Sequence, residues 1–239
     1  MATEQGVIKR VELSDFANIR KNGLIAVNLR EDDRLINVAL TSGQSDIFIG
    51  TMYGMAVRFD ENDVRSMGRQ ATGVRAIRLA EGDKVISMGV TDEDGLILCV
   101  SEKGYGKRTR VSEYSKHSRG GKGNKAMKLT DKTGRLASMM IVDGERDLLL
   151  VTDDGIVIRT HVDSVPIQAR STQGVRIMRV AEGRAVISVT TTDAEEDRDD
   201  DTAQNVSADT DTAIQADALD TLLEDLENDP EPDENNERE

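Results

Sequence analysis

Gly104-Tyr105-Gly106-Lys107-Arg108 is the clearest copy of a pattern to which the chain returns about every fifty residues. The other copies are Gly6-Val7-Ile8-Lys9-Arg10, Gly54-Met55-Ala56-Val57-Arg58 and Gly155-Ile156-Val157-Ile158-Arg159. A second glycine follows each one, at Gly23, Gly73, Gly123 and Gly174. The two glycines lie 17 residues apart in the first unit and 19 apart in the other three. A fixed period of this length marks a stacked or radial repeat architecture, in which each unit buries its faces only against its neighbours.

Working outward from Gly104, the apolar run Leu96–Ser101 predicts a strand, Glu102-Lys103-Gly104 a turn and 106–111 a second strand. A loop over 112–123 follows, then a third strand over 124–129, a turn at 131–134 and a fourth strand over 136–142. The other units fit the same template. First strands are expected at 46–51 and 148–152, third strands at 74–79 and 175–180, and fourth strands at 35–40, 85–90 and 185–189. Four strands per unit suits a propeller blade. The units run approximately 1–43, 44–94, 95–145 and 146–192, and 193–239 is a separate tail. The first unit keeps only Met1–Thr3 of its first strand. The chain is therefore expected to be a fragment of a longer protein, and its ring to be incomplete.

Charge is segregated along the chain. The formal net charge is −14 over 239 residues, but 20 of the 45 acidic residues and only two of the 31 basic ones lie in 193–239. The body before the tail is therefore mildly basic, at +4. Such asymmetry points to nucleic-acid contact or to an interaction tail, and a solubilising disordered end fits the tail equally well. Ile214, Ala218, Leu219, Leu222, Leu223 and Leu226 recur at helical spacing, so a short helix near 214–227 is expected, docked on a partner or merely nascent. The single cysteine, Cys99, sits in an apolar run and reads as a core residue. No leader pattern and no long apolar stretch occur, which predicts a cytoplasmic protein.

Basic residues recur at fixed offsets. Lys9, Arg10, Arg58, Lys107, Arg108 and Arg159 close the first turn of their units, with Arg110 just beyond. Arg69, Arg119 and Arg170 stand four residues before the second glycine, with Arg20 and Lys21 displaced in the first unit. Arg75, Lys125 and Arg176 stand two residues after it, and Arg78, Lys128 and Arg179 three further on. The third unit adds Lys116 and Lys122 in the loop His117-Ser118-Arg119-Gly120-Gly121-Lys122-Gly123. Registered Lys and Arg can neutralise successive phosphates, and glycines let backbone N–H groups approach an anion. Solvated edge charge that discourages sheet pairing is the competing explanation. With three Tyr, three Phe and no Trp, stacking on single-stranded bases is a poor fit, so duplex backbone contact is favoured. Catalysis finds no support. The glycine loop lacks P-loop spacing, His117 and His161 have no metal-spaced partners, and no triad is present.

Two stretches carry a family resemblance: 104–109, Gly-Tyr-Gly-Lys-Arg-Thr, with Glu113-Tyr114, and the run from Ser66 to Asp83 through Gly68-Arg69-Gln70-Ala71-Thr72-Gly73-Val74-Arg75. Over 1–192 the chain resembles the C-terminal domain of the A subunit of bacterial DNA gyrase. The resemblance implies an all-β fold, a β-pinwheel of propeller-like blades with strands exchanged between them. It also implies a basic rim that wraps duplex DNA and so supports ATP-dependent negative supercoiling. Expected partners are double-stranded DNA, the upstream part of the gyrase A subunit and the gyrase B subunit in an A2B2 holoenzyme, near the nucleoid. ATP and Mg2+ are expected only in that holoenzyme, and no catalytic residue or cofactor is expected in this chain. The family's heptapeptide Gln-Arg-Arg-Gly-Gly-Lys-Gly belongs to a first blade absent here, and 117–123 matches its last five positions. The equivalent domain of the topoisomerase IV A subunit, which binds DNA with little wrapping, and a protein-binding propeller are the alternatives. The tail is expected to compete with DNA for the rim.

Overall fold

The computed structural model describes residues 1–19 and 21–194, and within them the regular structure consists of strands and short 3-10 turns. The acidic tail beyond 194, with the helix expected near 214–227, lies outside the described residues. The first unit supplies β1 (Ala2–Thr3), β2 (Val7–Ile8) and β3 (Leu35–Asn37). The second supplies β4 (Asp46–Thr51), β5 (Met55–Asp60), β6 (Val74–Arg75) and β7 (Val85–Thr91). The third supplies β8 (Leu96–Ser101), β9 (Tyr105–Arg110), β10 (Asn124–Lys125) and β11 (Leu136–Val142). The fourth supplies β12 (Arg146–Thr152), β13 (Val157–His161), β14 (Val175–Arg176) and β15 (Val186–Asp193).

The sheets do not coincide with the repeats. Their strand orders are β3-β1-β2-β6, β10-β5-β4-β7, β11-β8-β9-β14 and β13-β12-β15. Each of the first three sheets thus takes its outermost strand from the following unit, and among the described residues the fourth has three strands. The β-pinwheel class expected from the sequence agrees with this arrangement. The third strands are shorter than expected. Only Val74–Arg75, Asn124–Lys125 and Val175–Arg176 pair as strands, because the amides beyond them turn to other partners, such as Ala76 N–H to Gly6 O at 2.8 Å and Arg78 N–H to Gly121 O at 2.8 Å.

The second glycine of the second, third and fourth units allows the crossing. A Cβ on Gly123, where φ is +76°, would lie 2.3 Å from Ala56 O, and one on Gly174 would lie 2.5 Å from Gly106 O. Only glycine lets the incoming strand lie this close to the receiving strand.

Alternation along the first strand of each blade builds the core. Side chains of successive strand residues point to opposite faces. On β4, Ile47 and Ile49 join Ile8, Phe59, Ile77 and Met88 in one cluster, while Phe48 joins Ile97, Cys99, Tyr114, Met127 and Met139 in the next. On β8, Ile97 and Cys99 serve that second cluster, and Leu98 and Val100 face Leu148, Leu150 and Val162 in a third. These strands are covered on both faces, which explains their unbroken apolar runs. Phe48 meets Tyr114 edge to face at 5.0 Å. Each fully buried large side chain contributes about 1.5–3 kcal/mol. Large apolar groups are exposed in the two outer units: Leu13, Ile19 and Leu40 in the first, Ile156, Val157 and Ile187 in the fourth.

Candidate nucleic-acid interface

The second strand of each of the first three blades is covered by a loop of the next unit. Isolated parallel bridges Arg10–Ser66, Arg58–Lys116 and Arg108–Ile167 mark the contact. Loop carbonyls outside a ladder need donors, and the basic residues of the glycine-to-arginine turns supply them. Lys107 Nζ donates to Ala169 O and Arg170 O, each at 2.6 Å. Lys9 Nζ donates to Ala26 O at 2.7 Å and also to Arg69 O. Arg58 Nε donates to Asp46 Oδ2 at 2.7 Å and its Nη1 to Tyr114 O at 3.4 Å. Arg108 Nε donates to Val165 O at 2.6 Å, and its Nη1 pairs with Asp163.

This corrects the first part of the predicted rim. Lys9, Arg58, Lys107 and Arg108 are buried and hold one repeat to the next, so they do not face a phosphate. Arg159, the fourth-unit counterpart, donates to Asp147 Oδ2 at 2.6 Å and to Asp193 O at 3.0 Å. Arg10 lies 3.6 Å from Glu61 and donates to Asn62 Oδ1. Arg20 lies outside the described residues.

The residues around the second glycine behave differently. Arg75, Lys125 and Arg176 are exposed at the outermost strand of three successive sheets, and Arg78, Lys128 and Arg179 are exposed just beyond them. Two of these outer strands are held in turn by an arginine of the following unit. Arg119 Nη1 donates to Arg75 O at 3.0 Å, and Arg170 Nη1 donates to Lys125 O at 3.1 Å while its guanidinium sits 5.7 Å from the Tyr114 ring centroid. Arg119 and Arg170 are accordingly half-buried, as is Arg69, whose carbonyl accepts from Lys9. Lys21, Arg110 and Lys122 are exposed. Lys116 is exposed too, but it bridges Asp46 at 2.7 Å and Asp60 at 3.0 Å, and those carboxylates hold its ammonium group above the usual lysine value.

The glycine loop of the third unit is a staple. His117 N–H donates to Arg58 O at 3.0 Å and Gly120 N–H to Ala76 O at 2.6 Å. These two amides are thereby committed within the protein, which removes them from the anion nest expected of this loop. Among the described residues no group of three or more His, Cys, Asp or Glu could hold a metal ion. None of their helices is long and apolar enough to cross a membrane.

The repeat geometry has a match among known families. The model of the DNA gyrase C-terminal domain, a beta-propeller, matches residues 1–42, 45–92, 95–143 and 146–193, one segment per repeat. The chain belongs to this family. The DNA gyrase A subunit of Staphylococcus epidermidis is 46% identical over 198 residues, which cover 82% of the chain and 22% of that protein. The DNA gyrase A subunit of Staphylococcus aureus is 41% identical over 220 residues, 91% of the chain and 25% of that protein. The chain therefore spans about a quarter of the length of these relatives. Among solved structures, the C-terminal domain of DNA topoisomerase IV matches with a TM-score of 0.76 and 26% identity, covering 92% of the chain and 65% of that structure. The DNA gyrase A C-terminal domain matches with a TM-score of 0.70 and 28% identity, covering 80% and 64%.

In this gyrase A-type domain, sequence register found the exposed cations of the outer strands. It missed Lys103, Lys132 and Arg184, which gather beside Arg176 and Arg179. They stand in turns, outside the offsets that repeat, so the periodicity carried no signal for them.

Proposed function

We propose that this chain binds and bends duplex DNA along its outer strands, as the DNA-wrapping part of a gyrase A subunit. One observation carries the reading: exposed cations stand at the same two offsets on three successive blades, at Arg75, Lys125 and Arg176 and again at Arg78, Lys128 and Arg179. Phosphates recur along a duplex at regular spacing, and a curved row of cations contacts more of them when the duplex bends around it. The gain in contacts offsets the cost of deformation. In the holoenzyme this wrapping would set the handedness of the DNA crossing, while ATP and Mg2+ chemistry and strand cleavage would lie with the gyrase B subunit and the upstream part of the gyrase A subunit.

The test is duplex affinity over a salt series. We expect a steep log–log slope, and expect the triple variant Arg75→Gln, Lys125→Gln, Lys128→Gln to lower it by about 0.9 per lost contact, or roughly three units. Affinity indifferent to salt and to these substitutions would favour a protein-binding propeller. The topoisomerase IV match, with the higher TM-score of the two structures, supports a second reading, binding with little wrapping. Relaxing closed circular DNA in the presence of the chain separates the two: a change in linking number supports wrapping, and binding without one supports the topoisomerase IV-like role.

A further inference from the structure

Three turns converge at the end of the third sheet and enclose a pocket of about 390 Å³. The turn between β8 and β9 contributes Lys103, and the start of β9 contributes Tyr105. The turn before β11 contributes Lys132, and the segment from β14 towards β15 contributes Arg176, Arg179 and Arg184. Backbone bonds fix the convergence: Glu102 N–H donates to Arg135 O, Lys103 N–H to Thr133 O, and Val186 N–H to Glu102 O.

We infer that this pocket binds a phosphate group, through cations gathered around the Tyr105 ring.

Four observations support it. Five cationic side chains line the pocket against one carboxylate, Glu182. Among the described residues none of the five makes an ion pair, whereas Lys84, Lys116, Arg58, Arg108 and Arg159 all do. Lys103 Nζ donates to the Asp131 carbonyl, and Arg184 adds a smaller share to the hydrogen bond from Thr152 that keeps the Asp154 carboxyl ionised. Second, Tyr105 organises the cluster. Arg176 Nη2 donates to its hydroxyl at 3.0 Å, and Arg176 and Lys132 both lie 5.5 Å from its ring centroid. An arginine and a lysine drawn to one ring are preorganised for an anion that neither has yet met. Third, the hydrogen bond from Arg176, with the nearby charges of Arg176 and Lys132, holds the Tyr105 phenol below its usual pKa. Fourth, the feature is not a product of the repeat. The positions of Lys103 and Tyr105 are filled by Tyr53 and Met55 in the second unit and by Asp154 and Ile156 in the fourth. The pocket rests on its own geometry and stands whether or not the duplex reading does. Its phosphate can come from bound DNA or from a free polyphosphate.

The test uses the whole chain and inorganic tripolyphosphate, titrated by calorimetry in low-salt buffer. We expect one site that weakens as salt is added. Lys103→Gln with Lys132→Gln should reduce its affinity by about tenfold or more, the scale of one lost charge-assisted hydrogen bond. Restoring charge with Lys103→Arg and Lys132→Arg should recover it. Removing two cations elsewhere, Arg30→Gln with Arg34→Gln, should change it less than about twofold if no direct contact is lost. Absence of tripolyphosphate binding, or an equal loss in the Arg30 and Arg34 variant, overturns the site. Duplex binding then identifies the source. A smaller salt slope in the Lys103 and Lys132 variant assigns the phosphate to DNA, and an unchanged slope assigns it to a free polyphosphate. Failure of the duplex reading is seen separately, as salt-insensitive DNA binding by the unsubstituted chain.

Discussion

Lys107 carries its ammonium group where solvent does not reach. Burial pushes its pKa down to about 8 from an ordinary value near 10.5, with opposing attraction from Cys99 and Glu113. The sign follows from proton binding. Between about pH 8 and 10.5 the unfolded chain holds this proton more tightly, so the group's contribution to stability rises with pH through that window. Lys107→Met should therefore show a flatter pH dependence of stability from 8 to 10 than the unsubstituted chain, read from urea melts. At pH 7 it should also be less stable by about 2 kcal/mol, because two loop carbonyls lose their donor. Its salt slope for DNA should not change, since the removed charge never reached the surface; a drop of one unit would return Lys107 to the rim. Cys99 offers a simpler check. It is fully buried, and burial pushes its thiol up to about 12, so a thiol-reactive dye should label it only after the protein unfolds.

At the scale of the element, the glycines that punctuate each unit differ in what they must clear. Gly123 and Gly155 both have positive φ, but a Cβ on Gly123 would meet Ala56 O at 2.3 Å, and one on Gly155 would meet nothing within 4 Å. Gly123→Ala should cost upward of about 3 kcal/mol by breaking the strand exchange, and Gly155→Ala only about 1 kcal/mol of backbone strain. Denaturant midpoints of the two variants decide this; equal losses would mean that the crossing is not the constraint. Here sequence and structure part company. The strands at 46–51 and 96–101 were legible because burial on both faces writes a continuous apolar run. The pairing of β10 with β5 was not, because nothing in Asn124-Lys125 names a partner some seventy residues back. The same limit applies to the site. Charge at Lys9, Arg58, Lys107 and Arg108 was legible, but the loop that covers it comes from the next repeat. The outer-strand cations are exposed because they follow the glycine at which the chain crosses to the sheet edge.

At the scale of the whole molecule, cations divide into those that bind repeats together and those that stay free. The first set is buried against carbonyls and carboxylates and should make stability nearly indifferent to salt, since buried pairs are weakly screened. The second should make DNA affinity strongly salt dependent. Melting temperature and duplex affinity measured over the same salt series should thus diverge, and parallel changes would argue against the division.

The outermost strand of each blade also sets an order in time. During synthesis the first sheet cannot close until Arg75 has been made, the second until Lys125 and the third until Arg176. Each of these three blades therefore waits, edge open, for its successor to emerge. Nascent chains of this domain should lag one repeat behind in acquiring protease resistance, with each gain arriving when the following unit's second glycine has cleared the ribosome.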